Sequence, residues 1–354
     1  MGPYLSNWAT EFGESHTRDM RKEARIRAAL VSEVDEALRH LGVASEPLMA
    51  LAGIDSVHLK DWDQMIPFRT VLRLFEVATE QTGLEDFGLK VAEVRGIPNL
   101  GLVMMMLQEQ VTVREALSTL TTMLYLHTDG LYVQLEDVGE EAILTIHLEY
   151  VAKVSSRPLI DLGIAGLTQV IRTILGEDWS PKEIFLSYSR PNRIKNYSRF
   201  FNCPIEYSQE ISGILIDRSD LDRPVLTSSA TARRRIDLQK ILIASSNRAY
   251  EYRVKQLVVM AIATGNLSAE WIAARLGTNR RTLNKRLATA GCCYSDIVQD
   301  VRTSLATQHL SSSNKSLSEI ALLVGFGNLS SFSRWFTASF GQSPSHWRRT
   351  IRLQ

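Results

Sequence analysis

Ser316-Leu317-Ser318-Glu319-Ile320-Ala321-Leu322-Leu323-Val324-Gly325 repeats the Ile-Ala and Gly of Trp271-Ile272-Ala273-Ala274-Arg275-Leu276-Gly277 at a spacing of 48 residues. In each copy a helical pattern ends at the glycine and a short polar turn follows. A second helical pattern then runs over Thr278 to Thr289 in the first copy and Asn328 to Ser339 in the second. Glycine at a helix end takes a positive φ without a Cβ penalty, so the chain can turn sharply there. Helix, glycine-containing turn and second helix make a helix-turn-helix, and the repeat predicts two of them.

Ser316 and Glu319 have capping-box spacing, Asn328 is a good N-cap, and Ser343-Pro344 starts a last short helix. Leu329, Phe332 and Phe336 are expected to face inward, as are Leu283 and Leu287 in the first copy. That leaves Arg280, Arg281, Asn284 and Lys285 exposed in one copy, and Asn328, Ser330, Ser331 and Arg334 in the other. These eight are the candidate DNA-contacting residues, because Arg and Asn read guanine and adenine edges while other basic side chains meet phosphates. Between the copies, Ser295 to Leu310 reads as one helix of about 16 residues, roughly 24 Å long. Such a connector suits two recognition helices about one DNA turn, roughly 34 Å, apart. A helical interaction bundle is the competing interpretation of the same pattern.

Charge supports the nucleic-acid reading. The 354 residues carry a net charge of only +1, but residues 233–354 hold 18 Lys/Arg against 6 Asp/Glu, and residues 1–232 hold 22 against 33. A strongly basic segment joined to an acidic one implies two jobs, one of them with a polyanion. With 45% apolar and 22% charged residues the composition is globular, with material for about two domains. Three cysteines, two of them adjacent, make no disulfide framework and lack zinc-site spacing. The polar first residues do not read as a signal peptide, and the apolar stretch Leu100 to Leu107 is too short to span a membrane. A soluble cytoplasmic protein is expected, with no membrane partner.

Upstream, residues 1–21 read as a flexible tail and 22–216 as an α+β domain. Helical periodicity covers Lys22 to His40, Thr70 to Thr82 and Leu100 to Gln108. A capping box at Thr112 to Glu115 starts a helix running to about His127. Leu131–Leu135 and Ala142–Leu148 read as a hairpin, followed by a helix at about Pro158–Leu175 and strands at Glu183–Tyr188 and Gly213–Ile216. Residues 217–231 read as a linker, and helices dominate 232–354.

No nucleophile elbow, P-loop, dinucleotide fingerprint or zincin helix is present, so neither catalysis nor a cofactor is expected. His147 and Glu149 share a strand face but are too few for a metal site. Met104-Met105-Met106 reads as core filling in preference to an adaptable pocket, and Tyr125, His127, Tyr132 and Tyr150 are unranked cavity candidates.

Residues 248–350 resemble the DNA-binding domain of the AraC/XylS family. The resemblance rests on Leu317 to Ala321, Val324-Gly325-Phe326, Phe332-Ser333-Arg334-Trp335-Phe336 and Phe340 to Arg348. Upstream, Ala273 to Gly277, Arg281-Thr282-Leu283, Gly291, Tyr294, Arg302, Leu305-Ala306 and Leu310 follow the same pattern. Thr337 and Ala338 depart from it where basic residues are common, and Cys292-Cys293 where small or polar ones are. Residues 30–220 are similar to the arabinose-binding-like sensor domain of the subgroup that includes ornithine-utilisation and mycobacterial virulence regulators. Leu51-Ala52-Gly53-Ile54, Ile66-Pro67, Gly88-Leu89, Leu100-Gly101-Leu102, Thr112 to Leu117 and Asp129-Gly130 carry that similarity. The implied protein has an α+β N-terminal sensor domain followed by an all-α C-terminal domain with two helix-turn-helix motifs. It would bind double-stranded promoter DNA under control of a small-molecule effector, act as a homodimer and, as an activator, contact RNA polymerase. A constitutive architectural DNA-binding protein and a ligand-binding enzyme fused to a DNA-binding module are the alternatives.

Overall fold

The computed structural model describes residues 24–55, 62–148, 155–226, 246–263, 265–312 and 315–352. The tail 1–21 and the later part of the expected linker lie outside the described residues. Strand β1 (Arg25–Arg27) pairs antiparallel with β2 (Met65–Pro67), with Ile26 opposite Ile66. The helix expected from Lys22 therefore begins only at Ala29, as α1 (Ala29–His40). Ile26 is buried through strand pairing, its backbone bridging to Thr128 on the other side. Helices α2 (Glu46–Ala52), α3 (Phe68–Thr82), α4 (Phe87–Arg95) and α5 (Leu102–Gln108) follow. The Thr112–Glu115 capping box is present at the head of α6 (Val113–Met123), which tightens into a 3₁₀ turn at Leu124–Leu126.

The hairpin forms as read, with β3 (Leu131–Val138) against β4 (Glu141–Leu148) and a positive-φ glycine, Gly139, in the turn. Strands β5 (Glu183–Leu186), β6 (Ile205–Tyr207) and β7 (Ser212–Asp217) complete a five-stranded sheet ordered β3-β4-β7-β5-β6, in which only β5 and β6 run parallel. Between β4 and β5 runs the core helix α7 (Arg157–Leu175). Its 19 residues are long and apolar enough to cross a membrane, a feature missed beside Leu100 to Leu107, yet the helix is 78% buried inside the domain. It carries Arg157, Asp161 and Arg172 along its length. Helix α4 packs so tightly on α7 that a Cβ at Gly88 would lie 1.8 Å from the Pro158 carbonyl oxygen. Helix α8 (Ile194–Phe201) joins β5 to β6.

The first part of the expected linker is not free chain. Asp217 ends β7, α9 (Arg218–Leu221) follows, and Leu221 is fully buried. Val225 N donates to Val111 O at 3.1 Å, and Leu226 N to Ile174 O at 2.8 Å. The backbone groups of 217–226 thus find their partners on the first unit, which extends that unit ten residues beyond 216.

Seven helices make up the second unit among the described residues: α10 (Ser246–Ala263), α11 (Ala269–Arg275), α12 (Arg280–Thr289), α13 (Tyr294–Ser312), α14 (Leu317–Leu323), α15 (Leu329–Phe340) and α16 (Pro344–Arg352). They enclose a separate core that includes Val258, Ile272, Leu283, Leu287, Leu310, Ile320, Phe332 and Phe336. Helices α10 and α13 also rest on the sheet of the first unit. Tyr252 packs beside Tyr132 and Tyr125, Gln256 donates to the carbonyls of Val133 and Thr121, and Gln308 donates to Ser187. This docking had no signal in the sequence reading.

Candidate nucleic-acid interface

Helices α11 and α12 form the first helix-turn-helix, α14 and α15 the second. All four begin on a side-chain cap: Ser268 accepts from Trp271 N, Asn279 from Thr282 N, Ser316 from Glu319 N and Asn328 from Ser331 N. At α14 the Glu319 carboxylate returns the bond to Ser316 N, completing the capping box read from the sequence. Gly277 and Gly325, at φ +63° and +79°, make the turns that the repeat predicted. The connector α13 has 19 residues, three more than expected, for a length of about 28 Å.

Arg280, Arg281, Asn284 and Lys285 are all exposed on α12, while Leu283 and Leu287 are fully buried beneath them. Arg280 donates to Glu270 across the first motif at 2.9 Å, so its charge is shared with an exposed carboxylate. Arg286 instead lies over the Tyr250 ring, 5.2 Å from its centroid, and ties α12 to α10. Asn328, the cap of α15, and Ser330 and Arg334 on the helix are exposed. Ser331 is only half-exposed, and its backbone N is the donor to the Asn328 cap at 2.8 Å. Leu329 is 37% exposed, against the inward orientation expected of it; the inward positions fall to Phe332 and Phe336.

An aromatic cluster holds α15 in place. Phe326, Phe332, Trp335 and Phe336 sit ring against ring, Phe336 stacks on Phe340 at 4.2 Å, and Trp347 closes the cluster from α16. Trp335 Nε1 donates to Gln299 Oε1 at 2.7 Å, and Arg302 lies 4.3 Å from the Phe326 centroid while donating to Gly325 O. Both partners belong to α13, so the connector fixes the second motif as well as spacing it from the first. Thr337 and Ala338 are exposed, leaving the later part of this face uncharged.

Two cavities lie away from this surface. A shallow cleft between the sheet and helices α10 and α13 is lined by Tyr132, His147, Lys255, Asp300 and Gln308, among others. Burial pushes His147 down to about 4, and His309 likewise to about 4, so both imidazoles are neutral. The larger of the two, partly open to solvent, lies inside the first unit between α7, the turn after α6 and the β3–β4 hairpin. Of the cavity candidates, His127 lines it; Tyr132 lines the interdomain cleft, and Tyr125 packs on Tyr252. Tyr150 and Glu149 lie outside the described residues. None of the three methionines lines either cavity: Met106 is buried, Met104 half-buried and Met105 exposed. Sequence reasoning missed Arg95, which lines the larger cavity. Among the described residues no group of three His, Cys, Asp or Glu is placed to hold a metal.

The family described as the arabinose-binding domain of AraC transcription regulators, N-terminal, matches residues 42–225, and a helix-turn-helix domain family matches residues 272–350. The HTH-type transcriptional regulator VirS of Mycobacterium tuberculosis is 24% identical over 326 residues, covering 91% of this chain and 96% of its own length. The ornithine utilization regulator of Pseudomonas aeruginosa is 29% identical over 188 residues, 52% of this chain and 55% of the relative. Among solved structures, the transcriptional regulator CdpR from Pseudomonas aeruginosa aligns over 91% of this chain and 98% of its own, at 19% identity and a TM-score of 0.45. With more than half its length matched by the regulators' N-terminal family and a double helix-turn-helix behind it, this chain belongs to the AraC family of DNA-binding transcription regulators.

Proposed function

We propose that the chain is a one-component activator that couples effector sensing in residues 24–226 to promoter binding by helices α12 and α15, inserted in successive major grooves of one duplex. The observation that carries this reading is the freedom of both polar helix faces. Arg281, Asn284 and Lys285 on one, and Ser330 and Arg334 on the other, stand outside both cores and outside the contact between the units. A 19-residue helical connector of about 28 Å lies between the motifs, close to one turn of B-DNA at roughly 34 Å.

The β3–β4 hairpin supports coupling between the units. Leu131 and Ile146 face the large cavity, whereas Tyr132 and His147 on the opposite face meet the second unit. A ligand that displaces one face of a two-residue alternation moves the other. Such a ligand must bind one arrangement of the units better than the other, since equal affinity shifts nothing. Family membership supports a homodimer, contact with RNA polymerase and a cytoplasmic location. Footprinting of the purified chain on promoter fragments is the test. Two protected major-groove segments about one turn apart, on one face of the duplex, are expected; a single protected segment would refute double insertion.

A further inference from the structure

The large cavity of the first unit is almost wholly apolar, walled by side chains such as Leu124, Ile146, Leu159 and Leu162. Among the described residues three polar ones line it: Arg95, His127 and Thr128. Thr128 is engaged, donating to Arg25 O and accepting from Gly130 N. Arg95 and His127 are not fully engaged. The Arg95 side chain is 9% exposed, and its Nη1 donates to Glu33 Oε2 at 2.6 Å. Glu33 Oε1 accepts from Asn99 N at 3.2 Å, so both carboxylate oxygens are occupied. Yet among the described residues Arg95 Nε is buried with no hydrogen-bond partner, and so is His127 Nδ1. Gly166 on α7 makes room for the guanidinium: a Cβ there would stand 2.5 Å from Arg95 Nη2. Two unmatched nitrogens at the edge of one apolar space are costly unless something supplies the missing partner.

We propose that this cavity binds a small apolar carboxylic acid, its carboxylate taken by Arg95 and His127 and its hydrocarbon part by the surrounding aliphatic side chains. The assignment rests on reading the first unit as an effector sensor. The lining agrees, since an apolar wall with a few convergent polar groups is the usual make-up of a small-molecule site. Charge agrees too. Burial first, and then the charges of Arg27 and Arg95, push His127 down to about 3, which reports a positive field at this end of the cavity. That field favours an anionic head group and opposes a cationic one. Arg27, held by Asp63 and Asn99 O, does not line the cavity, whereas Arg95 lines it and keeps its Nε for a ligand while Nη1 stays on Glu33.

The test is titration of the full chain with octanoate and phenylpropanoate, followed by calorimetry and thermal shift, with octanol and octylamine as uncharged and cationic counterparts. The acids are expected to saturate a single site and raise the melting temperature, and the counterparts to bind at least about tenfold more weakly. His127→Phe, and Arg95→Met combined with Glu33→Gln, are each expected to weaken octanoate about tenfold or more while leaving octanol unchanged. The double variant leaves no lone buried carboxylate and keeps an acceptor for Asn99 N. Octanol or octylamine binding as well as octanoate, or variants that keep the preference for acids, would overturn the ligand class and leave the sensor reading intact. Absence of binding by all four probes also overturns it. Leu162→Phe, which fills the cavity, then separates the two readings: an unaltered promoter response in cells removes the sensor reading as well.

Discussion

The Tyr252 hydroxyl, carried by the first helix of the DNA-binding unit, donates to the main-chain carbonyl of Leu131 at 3.0 Å. Leu131 opens strand β3 and its side chain lines the larger cavity of the first unit, so one residue touches both that cavity and the neighbouring unit. Tyr252 is almost fully buried between Tyr125 and Tyr132. Tyr252→Phe keeps the ring packing and removes one hydrogen bond, for an expected loss of about 1 kcal/mol in thermal unfolding of the full chain. It should also weaken the effect of any effector on promoter affinity, measured by titrating DNA with and without ligand. Unchanged coupling would show that the signal travels by another route.

Arg281→Ala and Arg334→Ala are each expected to reduce specific promoter affinity by about 1–3 kcal/mol, with little change in melting temperature, because both side chains are exposed. Lys285→Ala, read as a phosphate contact, should instead weaken binding to all sequences alike and reduce the salt slope by about 1. Gel shifts at several salt concentrations distinguish the two patterns. Equal loss on specific and random DNA for both arginine variants would remove them from base recognition.

Ser316→Ala removes the cap at which α14 starts, and the capping box with it. The expected cost is about 1 kcal/mol, read as a lower melting temperature, and Ser268→Ala should act similarly at α11. Because α14 positions α15, the Ser316 variant should also lose protection at one half of the footprint before the other.

Asp161 gives the fold a measurable pH signature. Its carboxyl is buried on α7 and accepts from the hydroxyls of Tyr188 and Tyr197, the latter at 2.6 Å. Burial pushes it up to about 7, outweighing the two hydrogen bonds and the nearby Arg157 charge, which all favour ionisation. The folded chain therefore holds this proton more tightly than the unfolded chain does. The associated stability is fully present below about pH 4 and is lost as pH rises through about 7. The buried histidines act oppositely, their stability being lost as pH falls below 6.5 toward the values of about 3 and 4. Comparing Asp161→Asn with the parent chain isolates the carboxyl: the difference in unfolding free energy should shift in the variant's favour between about pH 4 and 7. A pH-independent difference would show that Asp161 does not titrate as its surroundings imply.

The second unit was legible in the sequence because its determinants are local. A cap, a glycine turn and a periodic apolar face each occupy a few adjacent positions, as at Ser316, Gly325 and Phe332–Phe336. The capping box at Thr112 and the β3–β4 hairpin were readable for the same reason. Strand β1 was not, since its identity depends on Met65–Pro67, far along the chain, and its three residues continue the helical spacing of α1. Helix α4 was missed because Gly88 and buried residues around most of its circumference erase the amphipathic pattern. The cavity was invisible: Glu33, Arg95, His127 and Gly166 meet only after folding, and none belongs to a recognisable motif.

The near-contact of Gly88 with Pro158 joins α4 and α7 backbone to backbone. At this crossing no side chain lies between them, so the two helices can part or slide there only by moving backbone against backbone. Arg95, at the end of α4, is thereby anchored to the same rigid block as the α7 wall it faces. The wall opposite that block is the β3–β4 edge of the five-stranded sheet, and the same edge leans on the neighbouring unit.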